Sequence, residues 1–289
     1  MCGEMKTVNS LSGGKTSSYI AAHYPADYNV FSLVRTCDKK CMFPDSKIRQ
    51  EVSDRLGTEF IGTLEEDTII YTMIDLEQYI GQKIDWVTGK TFDEIIIRKD
   101  KKYLPNVTQR FCTTEMKLQP IFDWWRKEIG KPVQTRIGYR ANEQSRAKTM
   151  LSKINKKGLL EMKAIVGKRN GITNQNKWAY IEWQKPMFPL IKDNIYKDSI
   201  EKYWEDKSVR FAYMNNCVGC FHRSPILLKH LSDKHPNKFE WFINAEQETG
   251  DNVRTFKSGM TYKEIKNSLK QTSLFDDDFN ECDSGYCGI

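Results

Sequence analysis

A chain of 289 residues with 39% hydrophobic and 12% aromatic residues is rich enough in apolar side chains to pack a core, which excludes disorder and fits one large α/β domain or a domain with an appendage. No run reaches the roughly eighteen apolar residues of a membrane span, and Met1-Cys2-Gly3-Glu4-Met5-Lys6 lacks a signal peptide's apolar region, so a cytoplasmic protein with no membrane partner is expected. A net charge of +7 suits a phosphate-rich partner without requiring one, and eight cysteines in a reducing compartment point to metal, redox or packing roles rather than a disulfide framework.

The first half alternates strand-like and helix-like segments, the pattern of a parallel sheet with helices on both faces. An apolar strand over 7–11 leads through Ser12-Gly13-Gly14-Lys15-Thr16-Ser17 into a helix. Strands follow over 29–34 and 59–62, with helices over 44–56, 67–80, 92–99 and 114–129, the last kinked or divided by Pro120. A further strand over 133–138 precedes a polar turn and a helix. Residues 159–183 read as a hairpin inserted on the surface, turning near Asn170-Gly171. The lysine-rich stretch 148–177 reads as a solvated face of that insertion rather than a nucleic-acid track. Beyond Cys217 the chain is helical, with Ser224-Pro225 as a helix start and Thr261 with Glu264 as a capping box; the acidic end from Asp276 is an extended tail. The division expected is a nucleotide-binding domain over 1–215 and a cysteine-bearing helical region over 216–289.

Four segments carry chemistry. The glycines of Ser12–Ser17 let backbone N–H groups approach an anion at a helix N-terminus, and Lys15 adds a positive charge, although the spacing is not that of the Walker loop. Gly138-Tyr139-Arg140-Ala141-Asn142-Glu143-Gln144-Ser145-Arg146 follows a strand, so Arg140 and Arg146 are placed to meet phosphate at the sheet's carboxyl edge, with Glu143 orienting an arginine or holding Mg²⁺. Arg110 and Lys117 flank Cys112 near a helix start, a setting that favours a thiolate. Cys217-Val218-Gly219-Cys220 forms a turn whose sulfurs reach one metal or each other, and with Cys112 it gives three thiolates for an iron–sulfur cluster or Zn²⁺. His222 or a residue of Cys37–Cys41 supplies a fourth position, or that position stays open; inert cysteines are the competing reading.

These segments, in this order and together with Pro186-Met187-Phe188-Pro189-Leu190 and Phe43-Pro44-Asp45, resemble the phosphoadenosine phosphosulfate reductase-like branch of the PP-loop ATP pyrophosphatases, also called adenine nucleotide alpha hydrolases. The resemblance implies a Rossmann-like, mostly parallel sheet of five strands. It also implies that Ser12, Gly13, Gly14, Thr16 and Ser17, with Gly138, Glu143 and Arg146, bind ATP or an adenylyl sulfate. Lys15 and Arg140 would neutralise developing charge, Cys112 would join them in catalysis, and Mg²⁺ would bridge phosphates. The sequence departs from the pattern in carrying Thr16 where the loop usually has an acid, and a single Cys112 where cluster-binding reductases have two adjacent cysteines.

The leading expectation is ATP-dependent adenylation with sulfur transfer from a donor protein to a nucleic acid or small acceptor, with a homodimer among the expected partners. Two other readings stay open. One is a sulfonucleotide reductase that releases sulfite with thioredoxin as partner, using Cys282 or Cys287 of a tail resembling the reductases' terminal Glu-Cys-Gly segment. The other is a nucleotide- or nucleic-acid-binding module without turnover, which Thr16 favours.

Overall fold

The computed structural model describes residues 4–98, 101–169, 175–247 and 254–268. Along β1 (Thr7–Leu11) and β2 (Tyr28–Ser32) successive side chains enter opposite apolar layers. Val8 and Val30 join Ile121, Phe122 and Trp125 on one face, whereas Leu11 and Phe31 join Ile20, Ile69, Met73 and Leu76 on the other. Strands buried on both faces require helices on both sides. Those helices include α1 (Lys15–His23), α2 (Ser46–Leu56), whose N-terminus is capped by Asp45, and α3 (Thr68–Ile80). The remaining strands are β3 (Ile84–Val87), β4 (Val133–Arg136), β5 (Leu160–Lys168) and β6 (Asn176–Met187).

The order across the sheet is β3-β2-β1-β4-β6-β5, parallel throughout except for the β5–β6 pair. The architecture is therefore the expected Rossmann-like α/β sheet, with six strands where five were expected. The additional member comes from the hairpin, which is not merely a surface insertion. β6 runs on past Trp183 and pairs with β4 from Val133↔Gln184 to Arg136↔Met187. Beyond Gln184 it has no β5 partner, so Pro186 sits where one side of the strand has no ladder to complete.

Three other expectations change. Residues 59–62 make only isolated bridges, from Gly62 to Thr36 and Met42, and β3 occupies the place beside β2. The helix expected over 92–99 ends at Ile96, as α4 (Phe92–Ile96), and Ile97–Arg98 is extended. The helix expected over 114–129 is divided: Phe111–Thr113 is one α-helical turn, Thr114–Leu118 is π-helical, and α5 (Gln119–Glu128) follows. Pro120 falls in the first turn of α5, where its missing N–H is not needed.

After α6 (Gln144–Leu151), α7 (Pro189–Lys192) and α8 (Lys197–Trp204), the chain forms α9 (Pro225–Lys234), α10 (Pro236–Gln247) and α11 (Tyr262–Asn267). Ser224 caps α9 and the Thr261–Glu264 capping box opens α11, as the sequence indicates. The boundary expected at 215/216 falls inside a shared core: Leu228, Phe239, Phe242, Tyr262 and Ile265 pack with Val34, Leu64, Phe92 and Met116. Among the described residues no helix is long and apolar enough to cross a membrane.

Candidate functional site

The register Asn9↔Arg136 and Arg136↔Met187 brings the carboxyl ends of β1, β4 and β6 side by side, the edge at which open α/β sheets bind ligands. At the end of β1, Gly13 adopts φ +80, and a Cβ there would stand 2.5 Å from Ile69 Cγ2. Gly14 precedes α1 without a side-chain cap, and the first turn of α1 carries no acid, so its leading N–H groups and the helix dipole favour an anion. The hydroxyls shape this loop. Ser12 N–H donates to Ser17 Oγ at 3.2 Å, and Ser17 Oγ donates to the Gly14 carbonyl at 3.1 Å. Lys15 pairs with Glu201 of α8 and lies 6.0 Å from the Phe211 ring centroid, while Trp204 Nε1 donates to the Lys15 carbonyl at 3.0 Å.

The segment after β4 starts against this loop. A Cβ on Gly138 would lie 3.2 Å from Thr16 Cγ2 and 3.9 Å from Ser17 N, so the two strand-end loops touch. Glu143 is buried, and one carboxylate oxygen accepts from Arg140 N (2.9 Å) and Arg140 Nε (3.1 Å) while the other accepts from Arg146. Engaged by two guanidinium groups, Glu143 orients both arginines. The Arg146 guanidinium stands 4.4 Å from the Tyr139 ring centroid, and Tyr139 stacks on Phe188 with centroids 5.5 Å apart.

The three cysteines singled out by sequence do meet. Cys112, Cys217 and Cys220 line one pocket, together with His222, Arg110, Lys117 and the apolar side chains of Phe92, Met116, Phe221, Phe242 and Phe256. Burial first, then the positive charges of Arg110 and Lys257, depresses the His222 imidazole to about 4. Lys117, one of the two cations flanking Cys112, pairs with Glu65 at 2.9 Å. The Cys37–Cys41 segment does not line this pocket: Cys37 is exposed, and Cys41 is buried, its thiol pushed up to about 12 by burial.

A frame that the sequence does not announce fixes the cysteine turn. Val218 N–H donates to the Leu64 carbonyl at 2.8 Å, and Cys220 N–H donates to Cys217 O at 3.1 Å. The Tyr262 hydroxyl donates to Gly219 O at 2.9 Å. Asn216, with φ 74, turns the chain into the cysteines, and the buried Arg223 donates back to the Asn215 carbonyl. Asn215 itself packs on the glycine loop, since a Cβ on Gly14 would stand 2.4 Å from its Nδ2. Arg223, Asn215, Tyr262 and Glu201 have no motif of their own. Only their nearness in sequence to the paired cysteines marks the first two.

Among the described residues no group of three or more His, Cys, Asp or Glu is placed to hold a metal ion. Three thiols ringing a pocket of aromatic and methionine side chains are soft donors of the kind that zinc and iron–sulfur clusters both take. Next to this pocket lies an open cleft of about 460 Å³, lined by Arg110, Thr113, Tyr139, Ser145, Arg146 and Lys153 among others. Arg110 and Thr113 line both spaces. Lys15 and Arg140 line neither space; their segments meet at Gly138 and Thr16 while their side chains turn to different carboxylates. Cys282 and Cys287 lie outside the described residues. Searches of protein families, curated proteins and solved structures returned no match to this chain.

Proposed function

We propose that this chain is an adenine-nucleotide-dependent enzyme of sulfur chemistry, which adenylates an acceptor oxygen with ATP, releases pyrophosphate, and exchanges the AMP for sulfur. One juxtaposition carries the reading: Gly14 and Thr16 touch Asn215 and Gly138, and the segments that begin there lead to the thiol pocket and the basic cleft respectively. An anion-binding loop, a cationic cleft and three thiols at one sheet edge form a site in which a nucleotide and a sulfur species can be brought together.

The loop N–H groups at α1 bind the phosphates, and Lys15 is released to them from Glu201. Arg146, oriented by Glu143 and the Tyr139 ring, and Arg110 hold negative charge in the cleft. Mg²⁺ would supply charge neutralisation on the phosphates; the first turn of α1, which carries no acid, leaves its N–H groups to them. Cys112, Cys217 and Cys220 would hold the iron–sulfur cluster, which supplies iron able to take sulfur as a ligand, and the neutral His222 stands at the same pocket.

The test is incubation with Mg²⁺ and ATP in the presence of reduced sulfur and candidate acceptors. AMP and pyrophosphate formation that is lost in Lys15→Ala supports the proposal. Inert ATP combined with sulfite release from adenylyl sulfate replaces it with the reductase, and tight ATP binding without any product leaves a binding module.

A further inference from the structure

By composition alone the lysine-rich hairpin is a solvated surface. Its two faces are very different. Ala164, Met162, Ile181 and Trp183 turn inward onto Ile121, Phe122 and Trp125. On the other face Trp178 and Tyr180 stand at alternate positions of β6, 54% and 68% exposed. Strand geometry sets such rings about 7 Å apart on one side. Ile165 lies opposite Trp178 and Lys163 opposite Tyr180, and Lys163 Nζ is 5.7 Å from the Trp178 ring centroid. Lys168, opposite Asn176 on this same face, and Arg169, both exposed, continue toward the tip. The carboxylates at the root are occupied: Glu161 and Glu182 accept from Asn155, and Glu182 pairs with Lys157 at 3.0 Å.

Large aromatic rings at a strand repeat, edged by cations, match the flat faces and phosphates of unpaired nucleotides. A second copy of this chain is the poorer occupant, because edge-to-edge pairing of β5 would bring the Lys163, Lys168, Arg169 and Lys177 clusters together. The hairpin is also joined to the site. Leu160, the first residue of β5, packs with Tyr139 and Met150, which line the basic cleft, and Lys153 lines it too. Ile165, opposite Trp178, is five residues further along β5, or about 17 Å.

We propose that the outward face of the β5–β6 hairpin binds single-stranded nucleic acid by stacking bases on Trp178 and Tyr180, so that the strand reaches the basic cleft. This rests on the adenylating enzyme proposed above for the identity of the acceptor, but its binding step stands alone.

The experiment titrates fluorescein-labelled oligothymidine and oligouridine with the full chain and follows anisotropy at several salt concentrations. Expected is saturable binding that W178A/Y180A weakens about ten-fold or more, and whose salt dependence flattens in K163A/K168A. Both variants keep the parent's cooperative thermal transition, which shows that they are folded. Parent-like affinity in W178A/Y180A overturns the inference, as does a hairpin whose substitutions change only self-association in sedimentation, or equal preference for duplex. Oligonucleotide binding without any AMP or pyrophosphate sinks the enzyme and leaves the platform. ATP-dependent modification of a small acceptor that is insensitive to hairpin substitutions does the reverse.

Discussion

Gly219 shows how tightly single residues are specified around the thiols. A Cβ there would lie 2.4 Å from Phe242 Cγ, so the paired-cysteine turn exists in this form only because the ring can press against bare backbone. Gly219→Ala should lower stability by about 1–3 kcal/mol, read as an earlier denaturant midpoint, and reduce iron uptake on reconstitution. Gly13 permits a sharper comparison. Gly13 and Gly57 both have positive φ, but nothing lies within 4 Å of a Cβ on Gly57, whereas Ile69 blocks one on Gly13. Gly57→Ala should therefore cost only the backbone penalty of about 1 kcal/mol, and Gly13→Ala clearly more in the same melt. The glycines were legible because a turn residue advertises itself locally. Glu201 was not, for its whole role is a contact with a lysine 186 positions away.

Helix ends were read correctly wherever the signal is local. Ser224-Pro225 and Thr261 with Glu264 begin helices because a hydroxyl accepts the early N–H groups. Strands were harder. Ile84–Val87 has just four residues with two polar-flanked buried positions, while 59–62 looks as apolar but is held against the Cys41–Met42 backbone, where Gly62 alone fits. Pairing partners decide between them, and these are distant. The helix α11 has a consequence for the site: Tyr262 at its start donates to Gly219 O inside the core. Tyr262→Phe leaves that carbonyl without its donor and should cost about 1 kcal/mol, measured by chemical denaturation.

The shared core gives the whole molecule its cooperativity. Residues 1–215 alone would expose the faces of Leu64, Phe92 and Met116 that α9 to α11 cover, so that fragment should fail to give a sharp thermal transition. The same seam is sensitive to acid. Glu66 is buried and accepts from Met214 N–H at 2.5 Å, and His235 Nε2 stands 3.2 Å from its other oxygen; burial opposes its ionisation, but these neighbours win and hold its carboxyl below the usual range. A folded pKa below the unfolded one gives stability that is fully present above the ordinary glutamate range and is lost as pH falls through the depressed value. Glu66→Gln should accordingly flatten the acid limb of a stability–pH curve.

Two peptide units separate the side chain leaning on Gly14 from the first thiol of the pair, and Asn216 between them is already committed to a left-handed bend. A ligand that lifts the glycine turn by even a fraction of an ångström has little slack to absorb the movement before it arrives at sulfur. Alkylation rates at Cys217 would then act as a chemical ear on the nucleotide end of the molecule.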